Sequence, residues 1–252
     1  MRNPAAPLHS HALAGCLYLP EESVENRTRT PLAIESVSIG DGQTNVPANA
    51  SIEVRFNQPL DPMSLGDASM RLASGDLFVP ADVRYDALTR TLVLDPRSDL
   101  RDGLWYTFTM DGFPLSIMGT ACTGDTLEVR FRAGSSTIPP LTRPAVDFED
   151  DVWPILRSCS CHTEETPFME YVIAYPSAGE FLEASVGTPS HEWHGWLVVE
   201  PGRHETSYII YKMLGDERLG MPTIMGESMP PRSPLPMEYV ETIRDWIEQG
   251  AD

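Results

Sequence analysis

Apolar and polar residues alternate over several short runs that begin after Leu32. In SIEVRF (51–56), Ile52, Val54 and Phe56 fall on one side and Ser51, Glu53 and Arg55 on the other. TLEVRF (126–131) repeats the design with Leu127, Val129 and Phe131, and TLVLDP (91–96) and LWYTFTM (104–110) are also strand-like. Alternation with a period of two predicts a sheet with one buried face. Turn signals separate the runs at Asp41-Gly42, Pro59 to Pro62, Ser74-Gly75, Asp102-Gly103 and Asp111-Gly112. About seven short strands in about 100 residues predict an antiparallel sandwich.

AGSSTIPPLTRPA (133–145) is rich in Ser, Thr and Pro and reads as a semi-rigid linker. Beyond it the period becomes helical. Phe148, Val152, Ile155 and Leu156 make one apolar stripe. Asp147, Glu149, Asp150 and Asp151 crowd the start, where the helix dipole favours negative charge. A second helix is predicted over TSYIIYKMLG (206–215), ended by Gly215. The clearest helix is PMEYVETIRDWIEQGAD (236–252). Pro236 suits its first position, Val240, Ile243 and Ile247 form its stripe, and Gly250 is placed to end it.

The chain has 252 residues, enough for two domains with cores of their own. Its 18 basic and 37 acidic side chains give a formal charge of −19, which repels a nucleic-acid backbone and excludes that partner class. No stretch approaches the roughly 20 apolar residues of a membrane span. Near the start, Leu13-Ala14-Gly15-Cys16 resembles the lipobox of bacterial lipoproteins. That resemblance implies export, lipidation of Cys16 and attachment to a membrane.

SVSIGDGQTNVPANASIEVRFNQPLDPMSL resembles the opening of a bacterial Ig-like domain, with an Asn-Val-Pro turn, a strand ending in Phe and a Pro-Leu-Asp-Pro corner. The likeness covers roughly 32–134 and implies a spacer or adhesion module. Cys122 lies alone in that half and reads as a small apolar residue or loop thiol.

The candidate chemistry lies in the second half, at Cys159-Ser160-Cys161-His162. Covalent haem needs a thiolate to add to a vinyl group and a neighbouring histidine to reach the iron. Cys161-His162 supplies both. Cys-x-x-Cys-His would put its first cysteine three places before the second. Here Cys159 is only two before, which on a regular helix turns it about 200° away. A single thioether through Cys161 follows more easily than two. DFEDDVWPILRSCSCH, LVVEPGRHETSYIIYKMLGD and MPPRSPLPMEYVETIRDWIEQGA, in that order, resemble three blocks of a bacterial c-type cytochrome domain. The resemblance implies haem c, with His162 and Met229 as iron ligands and Cys161 and Cys159 as attachment residues. It also implies single-electron exchange with a redox partner protein. Met221 and Met225 are rival ligands.

Other readings stay open. Cys159, Cys161, His191, His194 and His204 offer thiolates and imidazoles for zinc or copper, although Cys-x-Cys is closer than the usual spacing. His191-Glu192-Trp193-His194 is not the His-Glu-x-x-His protease motif. It reads equally as a loop packing two tryptophans. A strained Cys159–Cys161 disulfide is a further option. No Gly-rich phosphate loop or Gly-x-Ser-x-Gly elbow is present.

The expectation is therefore a non-enzymatic, extracytoplasmic protein of the periplasm or outer membrane. It has a leader and tether (1–31), an all-β Ig-like antiparallel sandwich (32–134), a linker (135–146) and a small all-α cytochrome c-like domain (147–252). The alternative is a cell-envelope scaffold or interaction lipoprotein whose cytochrome-like half is free of haem.

Overall fold

Strand β2 (Ile52–Phe56) alternates as its sequence requires: Ile52, Val54 and Phe56 are buried, and Glu53 and Arg55 exposed. It lies between β1 (Ile34–Val37) and β6 (Thr91–Pro96), and β5 (Ala81–Asp86) closes that sheet in the order β1-β2-β6-β5. The second sheet runs β4-β3-β7-β8, formed by β3 (Met70–Ser74), β4 (Leu77–Phe78), β7 (Trp105–Asp111) and β8 (Thr126–Arg132). All the strand pairs are antiparallel. Register places Val54 opposite Leu92 and Phe108 opposite Val129, so apolar side chains share one face of each sheet. Leu60, in the Pro-Leu-Asp-Pro corner, is fully buried, and its N–H donates to the Tyr85 hydroxyl at 2.9 Å. Asp61 then caps the 3-10 turn Pro62–Ser64 by accepting from the Met63 N–H. In the Asn-Val-Pro turn, Asn45 takes a left-handed φ of 59° and Val46 bridges to Ala133 beyond the end of β8.

These elements come from a computed structural model that describes residues 31–65, 70–122, 126–140, 143–158, 177–219, 224, 226–231 and 233–252. Pro31–Asp252 cluster as one compact unit. Among the described residues no helix is long and apolar enough to cross a membrane.

A small all-α cytochrome c-like domain is not what the second half forms. Its described helices are few: α1 (Trp153–Arg157), preceded by a π-helical turn over Phe148–Val152, α2 (Ala178–Ser185), α3 (Tyr208–Leu219) and α4 (Met237–Glu248). Between α2 and α3 the chain is extended or turning, with bridges pairing Val186 with Val199, Pro189 with Leu197, and Leu197 with Ser207. The physical reason lies in residues 186–203. Gly187, Gly195 and Gly202 all take positive φ, and Pro189 and Pro201 bring no N–H, so helix cannot propagate there. The period-3.6 stretches at either side are real, but what joins them is irregular.

The predicted stripes are buried except at Leu156, which is half-buried. Phe148, Val152 and Ile155 are buried, with Asp147 capping the turn by accepting from the Asp150 N–H. On α4, Val240, Ile243, Trp246 and Ile247 are buried while Tyr239 stays exposed. Rings fill the space between the elements. Phe148 lies 4.9 Å from Trp246 and 5.8 Å from Phe181, and Trp153 lies 6.2 Å from Phe181. Gly215 breaks α3 with φ 68° and ψ 163°, so the helix predicted to stop there does so and resumes after a kink.

Candidate functional site

Cys16, Cys159, Cys161 and His162 lie outside the described residues, as do Met221 and Met225. Met229 is described. It is half-buried on the segment between α3 and α4, and its N–H donates to the Lys212 carbonyl at 2.8 Å. Cys122 is half-buried, with its backbone bridged to Leu32. His191 and His194 are exposed, whereas His204 is buried. Among the described residues no group of three or more His, Cys, Asp or Glu is arranged to hold a metal ion. The HEWHGW loop packs its tryptophans: Trp193 lies 5.6 Å from Trp196, which meets Tyr211 edge-on at 4.7 Å.

The most developed polar site surrounds His204, which the sequence offered only as a metal ligand, with partners that sequence reading did not name. His204 sits in a 3-10 turn (His204–Thr206) ahead of α3, with 3% of its side chain exposed. Its Nδ1 is 2.9 Å from Glu248 Oε1 on α4 and 3.8 Å from Glu205 Oε2. Its Nε2 faces the end of β5, 3.6 Å from Asp86 Oδ1, and accepts the Ala87 N–H at 3.2 Å. That last bond needs the Nε2 lone pair. On protonation Nε2 gives it up and turns its new N–H toward Asp86. Arg244 on α4 reaches both Asp86 (3.7 Å) and Asp245 (2.8 Å). Arg143 bridges Asp245 and Glu248. The cluster thus ties the β5–β6 turn, the turn before α3, the C-terminal end of α4 and the segment before α1.

Burial penalises charge throughout this cluster, and the pairing overrides it. For His204, desolvation disfavours the imidazolium, but hydrogen bonding to Asp86 and Glu248, together with their charge, holds its pKa above the usual histidine range. Asp86 is held far below the usual carboxylate range against its own desolvation, chiefly by His204 and then Arg244. Glu248 is lowered by the same histidine and by Arg143 and Arg244, again against desolvation. No clue to this site was available in sequence order, because Asp86 and His204 are 118 positions apart (204 − 86). Each acidic residue reads as solvated surface until the fold brings it to the histidine.

Residues 28–117 match the bacterial Ig-like domain family. No curated protein matches the chain. Among solved structures, the N-terminal part of the bacterial S-layer protein SbsC is 18% identical, with a TM-score of 0.32 over 42% of this chain and 24% of that one. An L,D-transpeptidase from Mycobacterium smegmatis is 16% identical, with a TM-score of 0.29 over 42% and 41%. CopC from Methylosinus trichosporium OB3b is 18% identical, with a TM-score of 0.29 over 44% and 99%. The chain spans about a quarter or less of the S-layer chains it matches. Sequence match and antiparallel sandwich point the same way: residues 28–117 are similar to the bacterial Ig-like domain family.

Proposed function

We propose that this chain is an extracytoplasmic protein of the bacterial cell envelope, in which the Ig-like domain serves as a spacer and interaction module. The match over residues 28–117 carries the reading. The buried cluster around His204 supports it, since it fixes the second half to the sandwich rather than leaving the two free to swing. Lipidation at Cys16 supplies the anchor, and the formal charge of −19 keeps the exposed surface soluble and averse to nucleic acid. The test is fractionation of a bacterial host that exports lipoproteins and expresses the full chain. Wild type is expected in the membrane fraction and Cys16→Ser in the soluble extracytoplasmic fraction. Wild-type protein confined to the cytoplasm sinks the proposal.

A second reading keeps haem and electron transfer without a separate cytochrome fold. The donor set favours it: the thiol of Cys161 beside the imidazole of His162, with the Met229 thioether held near α3 by its backbone hydrogen bond. Cys161, with or without Cys159, would attach the porphyrin, and His162 and Met229 would ligate its iron. Haem supplies one-electron redox chemistry, at a potential that a thioether ligand raises. Haem staining of a denaturing gel, after expression with the c-type maturation machinery, decides it. A stained band lost in Cys161→Ala supports this reading, and colourless protein removes it.

A further inference from the structure

Two arginines, Arg90 and Arg218, have no carboxylate partner among the described residues and share a cavity. The cavity is about 260 Å³ and is lined by Ala87, Leu88 and Arg90 from the β5–β6 turn, by Leu214, Arg218 and Leu219 from α3, and by Met237 from the start of α4. None of these residues is acidic, although the chain holds 37 Asp and Glu against 18 Lys and Arg. Several other arginines form ion pairs, as Arg55 does with Glu35, Arg71 with Asp111, Arg97 with Asp82 and Arg203 with Glu200.

Arg218 uses Nη2 to donate to the Leu235 carbonyl, but its Nη1 is buried and has no hydrogen-bond partner. A buried donor left unmade costs about 1–3 kcal/mol, and more when it is charged. Arg90 is held in place from both ends. Its Nη1 donates to the Asn57 carbonyl at 2.9 Å, and its own carbonyl accepts the Phe56 N–H at 3.0 Å. It also takes a left-handed φ of 59°, which a branched or long side chain adopts only when its surroundings enforce it. Two guanidinium groups, each tethered by a backbone carbonyl in a mostly hydrocarbon lining, make a site that accepts an anion with little reordering. Asp86, the acid next in sequence, is already engaged by His204 and Arg244.

We propose that this cavity binds a small organic carboxylate with a short hydrocarbon body. The carboxylate would pair with Arg90 and Arg218 where they line the cavity, drawing the sealed Arg218 Nη1 out to it, and the hydrocarbon would lie on Leu88, Leu214, Leu219 and Met237. The volume sits just under the roughly 300–1,000 Å³ of drug-sized pockets, which selects a ligand of a few carbons.

The test is titration of the full chain with sodium hexanoate, followed by amide NMR shifts. Saturable shifts are expected at Ala87, Leu88, Leu214 and Leu219. Arg218→Gln should weaken binding at least about tenfold, roughly 1.4 kcal/mol, and Arg218→Lys, which keeps charge but loses the fork, should also weaken it. Arg90→Gln gives an independent reading should Arg218→Gln fail to fold, as judged by circular dichroism. Hexan-1-ol should give no saturable shift at these amides. The proposal fails if hexanoate gives no saturable shift there, if Arg90→Gln and a folded Arg218→Gln bind as wild type does, or if hexan-1-ol competes equally. Inorganic phosphate binding as tightly as hexanoate also overturns it, since the site would then read charge alone.

Discussion

His204 is nearly sealed from solvent, yet it faces Asp86, Glu205 and Glu248 together. Its raised pKa means that the imidazolium is worth more folded than unfolded. That stabilisation is whole below the unfolded value of about 6.5 and is lost as pH rises through the raised one. Asp86 and Glu248 have lowered pKa values, so their contribution is present above about 4 and is lost as pH falls through the depressed values. Urea midpoints should therefore peak near about pH 5–6 and decline toward pH 8.5. The alkaline loss should be partial, because neutral His204 still donates to Glu248 and accepts from Ala87. His204→Gln should flatten the alkaline side; an unchanged slope in that variant would show that another group titrates. His204→Ala strands buried carboxylates beside the remaining arginines and should cost about 3–5 kcal/mol in urea unfolding.

At the scale of elements, two glycines predict opposite outcomes. Gly215 breaks α3 at φ 68°, and an added Cβ would stand 2.7 Å from the Ser228 Cβ. Gly215→Ala should destabilise by more than about 1 kcal/mol, from backbone strain and collision together. Gly179, in the first turn of α2, has nothing within 4 Å of a built Cβ. Gly179→Ala should stabilise by about 0.5–1 kcal/mol, because it trims unfolded-state freedom at no steric cost. Thermal melts of the pair check both signs. Helix α4 contributes Trp246 to the ring cluster, only 1% exposed and 4.9 Å from Phe148. Trp246→Ala should cost about 3–5 kcal/mol and weaken near-ultraviolet dichroism.

For the molecule as a whole, the His204 cluster joins strands to helices through buried charges whose partners come from both. Unfolding should then be cooperative, with tryptophan fluorescence and far-ultraviolet dichroism changing together in urea. Wild type showing two separated transitions would contradict this. Asp86→Asn, which weakens the tie without altering the shape of either partner, should bring the transitions apart.

Sequence alone determined the strands whose pattern is plain: a half-buried strand must alternate, as SIEVRF and TLEVRF do, whereas TLVLDP, buried at Thr91, Leu92, Val93 and Leu94 alike, was legible only as an apolar run. It also determined the apolar stripe that leads into α1, that of α4, and the break at Gly215, since periodicity and glycine geometry are local properties of the chain. What joins α2 to α3 was not legible, because turns and single bridges leave no periodic signal, and the expected all-α half followed from the periodic parts together with the cytochrome resemblance. Tertiary structure alone decided the charge cluster and the arginine-lined cavity. Both depend on side chains more than 100 positions apart meeting in space, and a carboxylate or guanidinium bears no mark in sequence of whether water or a partner will receive it.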